Sequence, residues 1–401
     1  MKKILLGTTA LAAAGMLAYP TSDATAQEMK KAQPVKISVG GYFTSMIGFA
    51  DQDGSYETAV GRNYRPASIL NDSEIYFTGN TTLDNGLRID VIIQLETDQA
   101  TAKAGSGGTN ANSSAPIDES YIKLTGGFGD IRVGSTKAAA FVLGVPTLPA
   151  GIIRHDTLDV GKFVVAPSTT GISGVDNPAS PFFLNGVTSD VGPSDALKIV
   201  YISPVFAGFR GGVSYWPAGP GGDNIGNQPS IQNSAADYTI QYKGKFGDVG
   251  LDVAGHYVWN SNGSSSLGSA ANSVTTWNGG VALTYAGFRL SGRYGRADEQ
   301  TGPSQSPTQR VVDDFQYDAE IRYASGPWAV SFTYQHGESE ETIQNPANLE
   351  RTVYFFGAQY ALGPGVTLGA NVFRVDWQDE VTAAANNNDG WAVVGGLKVN
   401  F

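Results

Sequence analysis

GWAVVGGLKVNF, residues 390–401, is the stretch on which the fold turns. Successive side chains of a strand point to opposite faces. Trp391, Val393, Gly395, Leu397, Val399 and Phe401 therefore share one side, and Ala392, Val394, Gly396, Lys398 and Asn400 share the other. The first side is apolar and finishes on an aromatic ring. An edge strand of a soluble sandwich shows the same pattern, so the decision passes to the opposite end of the chain and to what lies between.

Lys2 and Lys3 precede the apolar run Ile4 to Leu17, and small residues close with Ala24-Thr25-Ala26 before Gln27. A basic start, an apolar stretch and a small-residue end make a secretory signal. Residues 1–26 are therefore expected to be removed, leaving residues 27–401 as a single domain. Gly7, Thr8, Thr9 and Gly15 break the run, which leaves it short of the ~20 apolar residues of a spanning helix. No later stretch reaches that length without a charge.

Removing the signal takes away two lysines and one aspartate, so the formal net charge moves from -11 to -12. An acidic chain disfavours nucleic acid, whose phosphates need clustered Lys and Arg. There is no cysteine, so the exported chain is held together without disulfides. With 51 glycines, 18 tyrosines and 18 phenylalanines, the mean hydropathy is only -0.14. A transmembrane barrel combines these features because only alternate strand residues face lipid. A soluble exported β-protein shares them.

Strand-like segments alternate with connections of two very different sizes. Val35 to Asp51 places Ile37, Val39, Phe43, Ile47 and Phe49 on one face and Ser38, Tyr42 and Thr44 on the other. Asp72 to Leu83 and Leu87 to Thr97 are joined only by Asp84-Asn85-Gly86, a turn in which Asn and Gly supply positive φ. In the second, Leu87, Ile89, Val91, Ile93 and Leu95 alternate with Arg88, Asp90, Ile92, Gln94 and Glu96. Aliphatics on one face and charges on the other suit a wall between lipid and water. Further tight hairpins follow through Gly126 to Asp130, Ser203 to Gly208, Lys245 to Asp248, Ala286-Gly287, Ala324 to Pro327 and Ala361 to Gly365. Long polar connections separate them. The tally is about 16 strands, an even number, with turns on one rim and long loops on the other, as a closed antiparallel barrel requires. The terminal strand must pair with the first, because an open edge in hydrocarbon leaves backbone groups unsatisfied. Phe49, Tyr215, Trp259, Tyr285, Tyr323, Tyr360, Trp391 and Phe401 stand near strand ends, where interfacial girdles sit.

Asn71 to Asp98 (NDSEIYFTGNTTLDNGLRIDVIIQLETD), Asp118 to Thr136 (DESYIKLTGGFGDIRVGST) and Leu197 to Tyr215 (LKIVYISPVFAGFRGGVSY) resemble hairpins of the Gram-negative general-diffusion porins, and the terminal Phe401 agrees. The resemblance implies an all-β, 16-stranded outer-membrane barrel, a homotrimer, lipid and lipopolysaccharide as surroundings, and insertion machinery that reads Phe401. It also implies a third external loop folded into the lumen. Here that loop is Thr136 to Asp195, some 60 residues without a clear strand, a length that calls for a function. The family's Pro-Glu-Phe turn has Pro181-Phe182-Phe183-Leu184-Asn185-Gly186 in its place, without the Glu, so no acidic constriction residue carries over.

Charged rings across a narrow lumen sort ions. In the third loop Arg154, His155, Asp156, Asp159 and Lys162 form a dense cluster, with Asp176, Asp190 and Asp195 beyond; Asp156 and Asp159 are the expected constriction acids. Parity assigns Arg88, Asp90, Glu96, Lys123, Arg132, Arg210, Arg289, Arg293, Asp318, Glu320 and Arg322 to the lumen, since an Arg facing lipid costs about 2–4 kcal/mol near the midplane. Arg88 and Arg132 follow their turns closely and are candidates for the periplasmic rim instead.

External acids (Asp51, Asp53, Glu57, Glu338, Glu340, Glu341, Asp379, Glu380) are candidate calcium ligands, with solvated loop charge as the competing account; no EF-hand spacing is present. No other cofactor is expected. An enzyme reading rests on His256 and Asp252 sharing one strand face, but no Gly-x-Ser-x-Gly elbow accompanies them. A sugar-selective channel would use Tyr42, Tyr76 and Tyr121 as stacking rings. Passive diffusion of small hydrophilic solutes, with mild cation preference, is the reading that uses most of the chain.

Overall fold

A computed structural model describes residues 34–96, 117–155, 157–167, 197–217, 235–262, 272–300, 313–340, 348–379 and 383–401. It contains β1 (Lys36–Gln52), β2 (Ala67–Thr82), β3 (Arg88–Glu96), β4 (Ile117–Gly126), β5 (Gly129–Ser135), β6 (Leu197–Ile202), β7 (Phe209–Trp216) and β8 (Ala235–Phe246). The second half supplies β9 (Val249–Asn262), β10 (Asn272–Tyr285), β11 (Phe288–Gln300), β12 (Asp313–Ser325), β13 (Trp328–Glu340), β14 (Asn348–Gly363), β15 (Val366–Asp379) and β16 (Asn388–Asn400). Each strand pairs with its sequence neighbours, and β1 pairs with β16, so the sheet closes as an antiparallel barrel of 16 strands. The signal segment lies outside the described residues.

The seam runs from Tyr42 opposite Asn400 to Gln52 opposite Gly390. Gly41 and Phe401 complete it by exchanging backbone bonds of 2.9 and 3.0 Å. Closure removes the edge, which is what hydrocarbon demands, since each unpaired backbone group there costs several kcal/mol. No helix among the described residues is long and apolar enough to cross a membrane; the crossing is made by strands.

The expected parity is observed. Ile37, Val39, Ile69, Val91, Ile93, Ile240, Leu290 and Val372 point outward and are exposed, a continuous apolar band of the kind lipid covers. Aromatic rings meet across strands in two belts. On the loop side Trp277 lies 5.2 Å from Tyr294, and Tyr334 lies 5.3 Å from Tyr354. On the turn side Phe288 meets Tyr323 at 4.5 Å and Trp328 meets Tyr360 at 4.4 Å. Trp277 and Tyr285 mark both belts on one strand; at ~3.3 Å per residue and a tilt of ~40° they stand about 20 Å apart across the membrane, within the ~25 Å apolar band of outer-membrane barrels.

Several strands run further toward the loops than apolar alternation indicates. β2 begins at Ala67 rather than Asp72, and β14 at Asn348 rather than Thr352. Past the lipid band both faces are wet, so ladder pairing continues without hydrophobic alternation. The connection after β1 also holds a short helix, Gly54–Ala59, capped by Asp53, whose side chain accepts from Ser55 N.

The barrel interior holds a packed core. The connection from β5 to β6, here loop 3, includes short helices at Ala139–Leu143 and Thr157–Val160. Ile153, Val160, Phe163 and Val164 of this loop pack on Met46, Val353, Phe355, Phe373, Val375, Trp377, Ala392 and Val394 of the wall. Ala139 and Leu143 pack on Val200 and Ile202.

Candidate functional site: loop 3 and the lumen wall

Loop 3 is laid along the inner wall, and its order follows the order of the strands. Ala139 N donates to Ser214 Oγ of β7 (2.7 Å), and Gln241 of β8 donates to Leu143 O (2.6 Å). Arg289 of β11 donates to Pro146 O (2.6 Å), and Leu148 N donates to Glu320 of β12 (2.9 Å). Ala150 N reaches Ser331 of β13 (2.8 Å), Gly151 N reaches Gln359 of β14 (3.2 Å) and Ile152 N reaches Asn371 of β15 (2.7 Å). Val165 N then donates to Gln52 of β1 (3.0 Å), while Asn388 of β16 donates to Val165 O (2.6 Å). Buried backbone groups outside regular structure need partners, and inward polar side chains of the wall supply them.

The loop comes this close because the wall is bare where it passes. A Cβ on Gly357 would overlap the Ala150 carbonyl, and one on Gly48 would overlap the Phe163 ring. Inward glycines and inward apolar residues on β14–β16 are therefore the signal of loop docking in the sequence. Alternation alone does not reveal it.

Beneath the loop, Arg293 and Asp318 form a buried pair, with Arg293 Nε 2.9 and 3.0 Å from the two carboxylate oxygens. His155 Nε2 lies 3.6 Å from Asp318. Arg289 lies 3.5 Å from Glu320. Parity is right for all four wall residues, but the side chains of Asp318 and Glu320 have no solvent exposure. Arg289 and Arg293, expected to line the pore, instead brace the wall under the loop, because loop 3 covers their side of the lumen. Arg210 also faces inward, but it donates to Ser203 O (3.4 Å) at the turn rim.

Loop 3 also meets the wall at β6, where Ala139 and Leu143 pack on Val200 and Ile202; the arc from β2 to β5 lies largely apart from this docking path. On it Arg88 binds Asp90 (2.7 Å), and Lys123 stands 3.7 Å from the same carboxylate. Arg132 sits over the Tyr121 ring at 5.8 Å. Glu74, Glu96 and Asp118 bring carboxylate oxygens within 4.8 Å of one another. Tyr42 donates to both Asp72 and Glu74 at 3.0 Å, its ring 6.4 Å from that of Tyr76.

Further along the described part of the loop, Asp159 accepts from Arg154 N (2.7 Å) and Lys162 Nζ (3.0 Å). The Arg154 side chain is 59% exposed, so this bend presents cations around a single carboxylate. Asp156, Asp176, Asp190, Asp195 and the Pro181 to Gly186 turn lie outside the described residues. Asp252, the proposed orienter of His256, makes its salt bridge to Lys243 (3.2 Å). Residues four apart on a strand stand about 13 Å apart, which separates it from the histidine.

A family model described as Gram-negative porin matches residues 7–379. The chain is 30% identical over 177 residues to the major outer membrane protein P.IB of Neisseria gonorrhoeae, covering 43% of this chain and 41% of that protein. It is 30% identical over 179 residues to the P.IB protein of Neisseria lactamica, covering 43% and 42%. The match thus spans about two fifths of these relatives' length. Among solved structures, the anion-selective porin from Comamonas acidovorans superposes with a TM-score of 0.60 at 15% identity, covering 92% of this chain and all of the other. The trimer form of OmpT from Vibrio cholerae superposes with a TM-score of 0.58 at 10% identity, with coverage of 92% and 100%. Likeness at such identity concerns the fold.

Proposed function

The chain belongs to the Gram-negative porin family, and from that premise we propose that it forms a water-filled passage through the outer membrane for small hydrophilic solutes and ions. The observation that carries this reading is a closed barrel whose interior is part filled by loop 3 and part lined by ionised side chains on β2–β5. A sealed structural barrel has no need of charges such as Arg88, Lys123, Arg132 and Glu74 on its inner face, where each must be hydrated or paired. Water in a lumen hydrates them. The chemistry is exclusion by size and sorting by field, with no bond made or broken, so no enzymatic role is proposed.

Within this reading the passage prefers cations mildly. The acidic net charge and the crowded carboxylates Glu74, Glu96 and Asp118 favour them, while Arg88, Lys123, Arg132, Arg154 and Lys162 hold the preference small. The Comamonas acidovorans porin shares the fold and is described as anion-selective, so ion preference follows the wall charges and not the barrel. Reversal potentials across a planar bilayer under a salt gradient test this. A cation-selective sign is expected, an anion-selective sign overturns the preference, and absence of conductance overturns the channel.

A sugar-selective passage is supported by Tyr42, Tyr76 and Tyr121 on the β1–β4 wall. However, the Tyr42 hydroxyl is already bonded to Asp72 and Glu74, and Arg132 covers one face of Tyr121. Liposome swelling over a series of solute sizes separates the two readings, since a general pore gives rates that fall smoothly with size.

The assembly proposed is a homotrimer, in keeping with the trimer form of a fold relative. Lipid and lipopolysaccharide surround it, and insertion machinery recognises the strand ending in Phe401. No cofactor is proposed for transport. Among the external acids, Asp53 accepts from Ser55, Glu57 from Tyr64, and Asp379 from Asn386, while Glu338 lies 3.1 Å from His336. Such internal partners favour bonded loop charge over a calcium site.

A further inference from the structure

Asn371 stands in the middle of β15, faces inward and is almost fully buried. Its Oδ1 accepts from Ile152 N at 2.7 Å and Ile153 N at 3.1 Å, and its Nδ2 donates to Ala150 O at 2.9 Å. One amide thus satisfies main-chain groups of Ala150, Ile152 and Ile153 in a loop segment that has no ladder or helix of its own there. An amide offers two donors and one twofold acceptor, so most of its capacity is used on the loop.

The surroundings fit this use. Gly357 is the ladder partner of Asn371, and a Cβ there would overlap Ala150 O; a Cβ on Gly369 would press on the Gly151 carbonyl. The loop backbone reaches the amide because these neighbours are bare. Gly151 itself has φ +115, a backbone state that side-chain-bearing residues rarely adopt, and a Cβ added there would overlap the Asn371 amide. Arg154, the exposed cation, follows the clamped Ile153 directly.

We infer that Asn371 is the positioning residue that holds the Ala150–Ile153 segment of loop 3 against the wall as a fixed lining and so sets the bore there, through the place it gives Arg154. This rests on the channel reading above.

The test is single-channel conductance of the refolded full-length mature chain in planar bilayers, with mobility in unheated SDS gels reporting whether the barrel is folded. Asn371→Leu keeps the branched shape and removes all three bonds; it is expected to give a folded barrel with roughly twofold lower mean conductance and frequent brief closures. Asn371→Asp keeps an acceptor for both N–H groups but sets a buried carboxylate oxygen against the Ala150 carbonyl, and is expected to loosen the segment at that point and add brief closures. Gly357→Ala lifts the same segment from the other side and is expected to act like Asn371→Leu. Folded Asn371→Leu and Gly357→Ala barrels with wild-type conductance and no added closures overturn the inference. Should Asn371→Leu not fold, Gly357→Ala and Asn371→Asp decide on the same criteria. A folded wild-type barrel that passes no ions overturns the channel reading itself, which distinguishes the two failures.

Discussion

Asp318 sits between Arg293 and His155 with no solvent at its side chain. Buried ion pairs add little net stability, but removing one partner leaves the other charge stranded. Asp318→Ala is therefore expected to destabilise the barrel by about 3–5 kcal/mol, read as a lower urea midpoint in detergent. A wild-type midpoint would show that water or another group replaces the carboxylate. Single charges on β2–β5 are expected to act differently, since Arg132 and Glu74 are only partly buried and, in the proposed channel, would bias ions rather than folding. Arg132→Ala is expected to raise cation over anion permeability, and Glu74→Gln to lower it, each by no more than about thirtyfold, because a unit charge at 4 Å in water shifts cation and anion in opposite directions by about 1 kcal/mol each. Reversal potentials read both; shifts of the same sign in the two variants would contradict the placement of these residues on the conducting arc.

At the scale of elements, β16 carries two duties that its alternation displays unequally. Its outward side, with Trp391, Val393 and Leu397, meets lipid, and its inward side, with Ala392 and Val394, receives loop 3. Its end also closes the barrel through Gly41 and Phe401. Deleting Phe401 removes both backbone bonds of that last pair and exposes the edge they protect. The expected result is slower refolding and a smaller folded fraction in unheated gels, with unchanged conductance for the barrels that do form. Equal folding yield with and without Phe401 would remove any thermodynamic role for the last pair. The outward face was readable because lipid and water enforce a period of two. The docking face was not, because a residue such as Asn371 or Gly357 looks like any other inward polar or small residue until the loop arrives.

At the scale of the whole molecule, a net charge of -11 for the full chain is spread over loops, rims and lumen. Only the lumen share acts on a passing ion. Screening then predicts how selectivity depends on salt: the Debye length is ~10 Å at 0.1 M and ~3 Å at 1 M, so the cation preference is expected to shrink toward the bulk mobility ratio as salt rises. A preference that persists unchanged at 1 M would point to direct ion coordination by wall carboxylates instead of a diffuse field.

The alternation of GWAVVGGLKVNF, the Asp-Asn-Gly and Ala-Gly turns and the long-short order of connections determined the barrel, its strand number and which charges face inward. Those properties follow from local rules, since each strand meets lipid and water independently of the others. Which inward charges touch water was decided only when loop 3 crossed the lumen, because its path depends on contacts between residues more than 200 positions apart, such as Ile152 with Asn371. Arg132 stays half-buried over the Tyr121 ring and Arg293 is buried against Asp318 beneath the loop, although sequence parity treats them alike.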